Sequence, residues 1–118
     1  NARAVARFYS ILANEGRFDG RQVLSAKAVA TARAEQYWGK EVVIGRNNRQ
    51  ALGFLLNSPQ FPIGPGRNSF GQSGMGGAMG FCDPDRGLAL GYVMNKMHGV
   101  SNIGPRIMRL IEAVYVCV

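Results

Sequence analysis

The sequence predicts an α+β fold, in which an antiparallel β-sheet is flanked by helices, and three observations lead to this prediction. Helical patterns open and close the chain, short apolar segments fill its middle, and turn residues separate those segments. Their order is helix, helix, short strand, strand, loop, long hairpin, helix. With 118 residues and no internal repeat, the chain is long enough for one domain with a modest core and too short for two.

Helix-starting residues mark the three predicted helices. Asn1 can cap a helix over residues 2–13, and Ser25 can cap a second one over residues 26–36. Pro105 opens the last helix, because proline is favoured at a first helical position. The first helix carries an apolar stripe at helical spacing, formed by Val5, Phe8, Tyr9 and Leu12. We therefore expect it to bury one face against the sheet.

Apolar segments between turn residues are the predicted strands. A short β-branched strand is expected at residues 42–44, a second at 51–56 and a third at 69–82, which glycines interrupt. Residues 88–96 form its partner strand after the turn sequence Asp-Pro-Asp-Arg-Gly. Residues 57–68 hold three prolines and two glycines, so we expect a surface loop there.

The charge distribution argues against a nucleic-acid partner. The formal net charge is +7, from 14 Lys and Arg against 7 Asp and Glu. A nucleic-acid-binding protein concentrates such charge on one face or in one run. Here the basic residues are spread mostly singly from Arg3 to Arg109, and the nearest thing to a cluster is Arg46 with Arg49. No apolar run approaches the about 18–20 residues of a membrane span, so no membrane segment is expected.

Cysteine and histidine usage predicts neither a metal site nor a disulfide framework. Cys82 and Cys117 lie in apolar segments, where each is expected to be a small buried hydrophobe. His98 is the one imidazole, and we expect it to be a solvated loop residue. No cofactor or metal is therefore predicted. The two isolated cysteines favour a reducing, intracellular compartment, while the localisation and the oligomeric state stay open.

The most distinctive stretch is FGQSGMGGAMGF, residues 70–81, with five glycines. No lysine follows the glycines, which excludes a phosphate-binding loop, and Met79 stands where a dinucleotide-binding motif needs its third glycine. A nucleophile elbow around Ser73 would need glycine in place of Met75. Two interpretations remain: a bulged strand packed under a helix, or a strand that another backbone or a ligand approaches closely.

A resemblance decides between them. The triplet Gln72-Ser73-Gly74 lies on a strand that continues through Asp-Pro-x-x-Gly into an apolar strand and a final helix. This arrangement resembles the serine β-lactamase and penicillin-binding-protein superfamily, and more closely its branch of β-lactamase-related serine hydrolases with class C enzymes and bacterial esterases. The helix and turn of residues 1–25 and the hairpin of residues 83–97 are also similar to that branch.

The resemblance extends over nearly the whole chain but only over the C-terminal part of the family's domain. It implies that residues 1–118 are the C-terminal part of one such domain, with an antiparallel β-lactamase/transpeptidase-like sheet. In the family, a serine in Ser-x-x-Lys forms an acyl-enzyme, while that lysine and the tyrosine of Tyr-x-Asn transfer protons. Neither motif occurs in this sequence, so we expect both to lie before Asn1 and the chain alone to be inactive.

The family's roles can be transferred to the triplet and the turn after it. Ser73 is expected to offer its hydroxyl to the substrate or to the proton relay. The backbone N–H of Met75 is expected to be one of two oxyanion-hole donors. Three glycines would keep the strand edge open for an acyl group, namely Gly74, Gly76 and Gly77.

Gln72 departs from the family, which has lysine or histidine at this position. Glutamine donates hydrogen bonds but neither ionises nor transfers protons. The predicted substrate is a small-molecule ester, amide or β-lactam, and Gln72 favours a neutral ester or a weakened enzyme. Two alternatives stay open: a non-catalytic binding or scaffold protein on the same fold, and an independent small basic α+β domain.

Overall fold

Opposite faces of one six-stranded antiparallel sheet carry the first and the last helix. The computed structural model describes residues 1–99 and 103–118. Its helices and strands, in chain order, are α1 (Ala2–Ala13), β1 (Arg17–Phe18), β2 (Arg21–Gln22), α2 (Ala26–Arg33), β3 (Tyr37–Lys40), β4 (Asn47–Gln50), β5 (Leu55–Leu56), β6 (Phe70–Ser73), β7 (Met79–Asp83), β8 (Leu88–Tyr92) and α3 (Pro105–Val116). Strands β3 to β8 are neighbours in that order, and β1 and β2 form a separate two-stranded hairpin. The predicted α+β class is confirmed.

The three helices begin where the sequence predicts. The Asn1 side chain accepts a hydrogen bond from the Ala4 amide at 3.0 Å, and the Ser25 hydroxyl accepts one from the Ala28 amide at 3.1 Å. Each satisfies a backbone donor of a first helical turn. Pro105 is the first residue of α3. No helix in the described ranges has the length and apolar character to cross a membrane.

The sheet separates two apolar clusters because successive side chains of a strand point to opposite faces. Phe70 and Cys82 are paired across β6 and β7 and contact the cluster that includes α1. Phe81 and Leu90 are paired across β7 and β8 and contact the cluster that includes α3. Strands β7 and β8 are therefore covered on both faces.

Helix α1 lies very close to the sheet because two glycines face it. A Cβ atom on Gly91 of β8 would lie 2.5 Å from the Ala2 carbonyl oxygen and 2.7 Å from the Ala6 nitrogen. A Cβ atom on Gly80 of β7 would collide with the ring of Tyr9. Part of the glycine content thus serves helix–sheet packing.

The prediction of one interrupted strand over residues 69–82 is wrong. Strands β6 and β7 pair with each other as a hairpin, from Phe70 opposite Cys82 to Ser73 opposite Met79. The turn between them needs glycine, because Gly76 and Gly77 have φ angles of +90° and +107°. The glycine run is therefore a hairpin turn.

Residues 42–44 are not a strand either. Val42 and Val43 are 93% and 88% exposed, and the segment is the turn between β3 and β4. The carboxylate of Glu41 accepts hydrogen bonds from the amides of Val43 at 3.0 Å and Ile44 at 2.7 Å. These side-chain contacts favour a turn over the extended conformation that β-branched residues otherwise prefer.

Three further boundaries differ from the sequence-based expectation. Helix α2 ends at Arg33 rather than at residue 36. Residues 51–56 contribute only β5, Leu55–Leu56, and β8 ends at Tyr92 rather than at residue 96. Cys82 is buried as expected, but Cys117 follows the end of α3 and is exposed.

The loop of residues 57–68 is not a surface loop throughout. Phe61 and Ile63 are 2% and 0% exposed and belong to the cluster under α3. The Asn57 side chain makes this burial possible, since its nitrogen donates to the carbonyls of Gly64 and Gly66 and its oxygen accepts from the Ile63 amide. A single side chain thus satisfies three backbone groups of an otherwise irregular segment.

Candidate active site

The outer edge of strand β6 is open at its C-terminal end. Strand β5 covers only the first two residues of β6, because Leu56 pairs with Phe70 and Leu55 with Gly71. The other edge of β6 is paired with β7 along its whole length. Within residues 1–99 and 103–118, no strand lies beside Gln72 or Ser73 on the outer edge. Backbone groups there can receive an extended ligand.

Alternation along the strand determines which amide faces this edge. The Gly74 amide donates to the Ala78 carbonyl across the hairpin at 2.7 Å. Neighbouring amides point the opposite way, so the Ser73 amide faces the open edge. It donates to the side-chain oxygen of Gln72 at 3.1 Å. Gln72 therefore occupies, with its own side chain, a donor that a bound ligand could use.

A cleft of about 340 Å³ adjoins this edge. Gln72 and Ser73 form one wall, and the opposite wall comes from β4 and the turn before it. The polar side chains of that opposite wall are Glu41, Arg46, Asn48 and Gln50. Sequence reasoning missed them as site residues, although three of the four lie in the polar run GRNNRQ, residues 45–50.

Glu41 is the anionic group of the cleft. The Ile44 amide, and after it the Val43 amide, lower the pKa of its carboxyl by hydrogen bonding. Glu41 is therefore ionised at neutral pH, with its oxygens directed at the turn. This arrangement makes it a shaping residue of the cleft wall and a poor proton donor.

Ser73 lines the cleft without a base that hydrogen-bonds its hydroxyl, as far as the structure describes the chain. Its hydroxyl makes no hydrogen bond to any residue in the described part of the chain. A serine nucleophile needs a group within hydrogen-bond reach that takes its proton. The geometry therefore agrees with the expectation that Ser73 belongs to the wall of a site, while its role in a reaction remains a prediction.

Met75 lies in the hairpin turn just beyond Ser73. The turn is closed by the Gly77 amide, which donates to the Gly74 carbonyl at 3.1 Å. Met75 is 83% exposed, and across the described residues its own amide has no hydrogen-bond partner. The donor expected in an oxyanion hole thus makes no hydrogen bond within the described part of the chain. Gly74, Gly76 and Gly77 form the rest of this turn, and their binding role also remains a prediction.

Tyr9 reaches the other face of the same strand. With Gln72 and Ser73 it lines a second, apolar cleft of about 270 Å³ between α1 and the β6–β7 hairpin. Burial, and after it the nearby Cys82, raises the pKa of Tyr9 to about 12, while the backbone of Gln72 lowers it. The phenol is therefore protonated at neutral pH and cannot act there as a base.

His98 contradicts the expectation of a solvated loop residue. Its imidazole is half-buried, and both ring nitrogens are shielded from solvent. Methyl groups on either Gly77 or Gly104 would collide with the ring. Its place between these two backbones could not be predicted, because Gly77 lies in the β6–β7 turn and Gly104 directly precedes α3, so the two are distant in sequence.

Asp83 and Asp85 lie at the turn that follows β7. The Asp83 carboxylate accepts from the Asp85 amide at 3.1 Å, which shapes the turn after β7. Asp83 is also fully buried and binds the side chains of Arg86 and Tyr115. It is a structural carboxylate behind the sheet, remote in its contacts from the open edge of β6.

An antiparallel sheet between helices, with an open strand edge that carries a hydroxyl and ends in a glycine turn, is the arrangement of the serine hydrolases that the sequence resembles. Comparison with known proteins agrees. The sequence model of the Beta-lactamase family matches residues 1–114, and the chain belongs to this family of β-lactamase-related serine hydrolases.

Individual relatives are esterases and penicillin-binding-protein homologues. The crystal structure of a family VIII carboxylesterase is 42% identical with a TM-score of 0.95, and it matches 100% of this chain and 32% of its own. A penicillin-binding-protein homologue from Caulobacter crescentus is 40% identical with a TM-score of 0.92, again over 100% of this chain and 32% of its own.

Among curated proteins, the esterase/β-lactamase LipL of Mycobacterium tuberculosis is 36% identical over 96 residues, which is 81% of this chain and 22% of LipL. The chain thus spans about a third of the length of the solved relatives and about a fifth of the curated one.

Proposed function

We propose that this chain is the C-terminal part of a serine hydrolase domain and forms one wall of its active site. The supporting observation is the open edge of β6, where Ser73 lines a polar cleft. Two residues further on, the Met75 amide has no hydrogen-bond partner among the described residues. The 32% share of the carboxylesterase chain that is matched supports the proposal of a partial domain. The nucleophile and its base would come from outside the 118 residues, since no Ser-x-x-Lys occurs in them.

The proposed reaction is acyl transfer to water. A serine hydroxyl attacks the carbonyl carbon of the substrate, and the carbonyl oxygen becomes an oxyanion that accepts a hydrogen bond from the Met75 amide. The base takes the serine proton, the carbon–oxygen or carbon–nitrogen bond to the leaving group breaks, and the alcohol or amine departs with that proton. Water then attacks the acyl-enzyme, which releases the acid and returns the proton to the serine. Ser73 hydrogen-bonds the substrate beside the open strand edge.

The proposed substrate is a small neutral ester. Gln72 offers a neutral amide where the family has a cation, so β6 supplies no charge for a substrate carboxylate. The description of one relative as a carboxylesterase supports an ester over a lactam. By the same reasoning, β-lactams with an ionised carboxylate would be weaker substrates.

The test uses the complete polypeptide that carries this chain, with Met75→Pro compared against Met75→Ala. Proline removes the amide hydrogen, whereas alanine keeps it and changes only an exposed side chain. We expect Met75→Pro to lower kcat for a chromogenic ester by about 100-fold to 1000-fold, the usual loss for one oxyanion donor. Met75→Ala should stay within about threefold of the wild type.

Fluorophosphonate labelling gives the second readout. The wild type should be labelled at serine, and Ser73→Ala should slow but not abolish the labelling. Equal labelling rates in the wild type, Met75→Pro and Ser73→Ala would contradict the assignment of β6 to the active site. The isolated 118-residue chain should show no turnover, and ordinary turnover by it would contradict the proposed division of the domain.

A non-catalytic binding protein is the second candidate. The contact between Gln72 and the Ser73 amide favours it, because the open edge is partly satisfied by its own side chain. A complete polypeptide that carries no Ser-x-x-Lys motif and resists fluorophosphonate would establish this alternative.

A further inference from the structure

The imidazole of His98 is wedged between two glycine backbones. Methyl groups on Gly77 or Gly104 would both collide with the ring, so each glycine backbone lies against it. Both ring nitrogens are shielded from solvent and make no hydrogen bond within residues 1–99 and 103–118. The ring therefore acts through its shape.

The same segment is attached to the hairpin turn by its backbone. The His98 amide donates to the Gly76 carbonyl at 3.2 Å. Met97 covers the adjoining glycine, since a Cβ atom on Gly76 would lie 2.6 Å from the Met97 terminal methyl. Residues 97–98 thus hold one side of the turn, while Met75 projects from the other side into solvent.

This attachment compensates for the intrinsic freedom of the turn. Three of the four residues 74–77 are glycine, the residue with the largest backbone freedom. An oxyanion donor stabilises the transition state only if it is already aimed at the developing charge. Inside the hairpin the turn is held by two backbone hydrogen bonds, whose donors are the amides of Gly74 and Gly77. The contacts from residues 97–98 add to these two bonds at Gly76 and Gly77.

We propose that His98 is a positioning residue, whose imidazole presses on the glycine turn and fixes the direction of the Met75 amide. The inference rests on the proposed function, because it assigns His98 to the donor that the oxyanion needs. His98 acts through Gly76 and Gly77 and contacts no substrate.

The first test compares His98→Ala with His98→Gln in the complete polypeptide. Alanine empties the space between the glycines, whereas the glutamine amide reaches about as far as Nε2 and transfers no proton. We expect His98→Ala to lower kcat about 10-fold to 100-fold with KM within about threefold, because a displaced donor affects the transition state and not substrate binding.

A boronic acid gives the transition-state readout. It forms a tetrahedral adduct with the serine, so its affinity should fall by the same factor as kcat in His98→Ala. His98→Gln should retain kcat and boronate affinity within about threefold. Unchanged kcat in His98→Ala would overturn the inference, and equal losses in both variants would assign the effect to proton transfer by the imidazole.

Gly104→Ala tests the contact that His98 makes with its second glycine neighbour. Gly104 has φ of −84°, which suits alanine, and the three nearest atoms to the new methyl group all belong to His98. The substitution should displace the ring and lower kcat as His98→Ala does. In the double variant the two losses should not add, because both act through one ring. Additive losses would show that the two substitutions do not act through the His98 ring.

Two results separate this inference from the proposed function. If the wild type is labelled and Met75→Pro is impaired but both His98→Ala and Gly104→Ala are normal, only the role of His98 is wrong. If the wild type resists labelling, the proposed function fails. In that case, amide hydrogen exchange of residues 74–77 still tests whether His98 holds the turn, because His98→Ala should then accelerate the exchange.

Discussion

The buried carboxylate of Asp83 offers the sharpest test of what stabilises this fold. It accepts hydrogen bonds from the Tyr115 hydroxyl at 2.9 Å, from Arg86 Nη1 at 3.0 Å and from the Asp85 amide at 3.1 Å. The Tyr115 hydroxyl also lies 3.3 Å from the Ile63 carbonyl oxygen. One phenol thus connects α3, the end of β7 and the buried loop before β6.

Tyr115→Phe removes this donor and leaves the ion pair with Arg86 intact. A hydrogen bond to a charged group contributes about 1.5–3 kcal/mol, and we expect a loss of stability in that range. A loss of about 3–5 kcal/mol would require that the buried carboxylate be left unpaired, which the retained Arg86 prevents. Urea unfolding should show a lower midpoint with an unchanged m value.

Tyr92→Phe is the matched control. Tyr92 is half-buried against the same apolar cluster, and its hydroxyl makes no hydrogen bond in the described part of the structure. Its removal should cost less than about 0.5 kcal/mol. Equal effects of Tyr115→Phe and Tyr92→Phe would refute the assignment of stability to the Asp83 hydrogen bonds.

The same variant has a characteristic pH dependence. Burial, and with it the contacts to Asp83, raises the pKa of Tyr115 from 10.0 to about 12. A group with a raised folded pKa stabilises the protein below its unfolded pKa and loses that contribution as pH rises through the folded value. The stability difference between wild type and Tyr115→Phe should therefore be constant up to about pH 10 and shrink toward about pH 12.

Two further predictions concern packing and thiol access. Gly91→Ala should lower the unfolding free energy by about 1–3 kcal/mol in thermal melts, because the methyl group would meet the α1 backbone. Gly99→Ala is its control, because a Cβ atom on Gly99 would have no atom of the described residues within 4 Å, and equal effects would contradict the close approach. A thiol reagent should modify Cys117 in the folded protein and Cys82 only after unfolding, because burial raises the pKa of Cys82 to about 12. Simultaneous modification of both thiols would show that Cys82 is accessible.

The predictions that succeeded depend on local chemistry. Asn1, Ser25 and Pro105 determine helix starts through hydrogen bonds or dihedral angles within one turn, so neighbouring residues suffice to find them. The strand predicted at residues 42–44 failed for a local reason as well. The side chain of Glu41 competes for the amides there, and a propensity for strands takes no account of it.

The predictions that failed elsewhere required distant contacts. Ile63 is buried against α3, and Tyr115, which touches its carbonyl, is 52 residues away in sequence. His98 is held between the β6–β7 turn and the start of α3. No pattern within a short window records such neighbours.

The candidate site was located from sequence only on its β6 side. Gln72, Ser73 and Met75 were identified through their resemblance to a family, and the structure brings the first two to one cleft. The opposite wall on β4 was missed because a single pair, Gln50 with Leu55, joins β4 to β5. The turn between the two strands sets the register of so short a pairing. That register determines which polar side chains of β4 face the cleft.

Gln72 modifies the open edge without closing it. Its side-chain oxygen accepts from the Ser73 amide at an exposed position. An arriving carbonyl would exchange one exposed hydrogen bond for another of the same kind, so the net cost of displacing Gln72 is small, within about 1 kcal/mol. The edge therefore stays available to ligands that bring a neutral acceptor, while β6 itself offers no positive charge to an anionic one. This is the physical reason why the proposed substrate is a neutral ester.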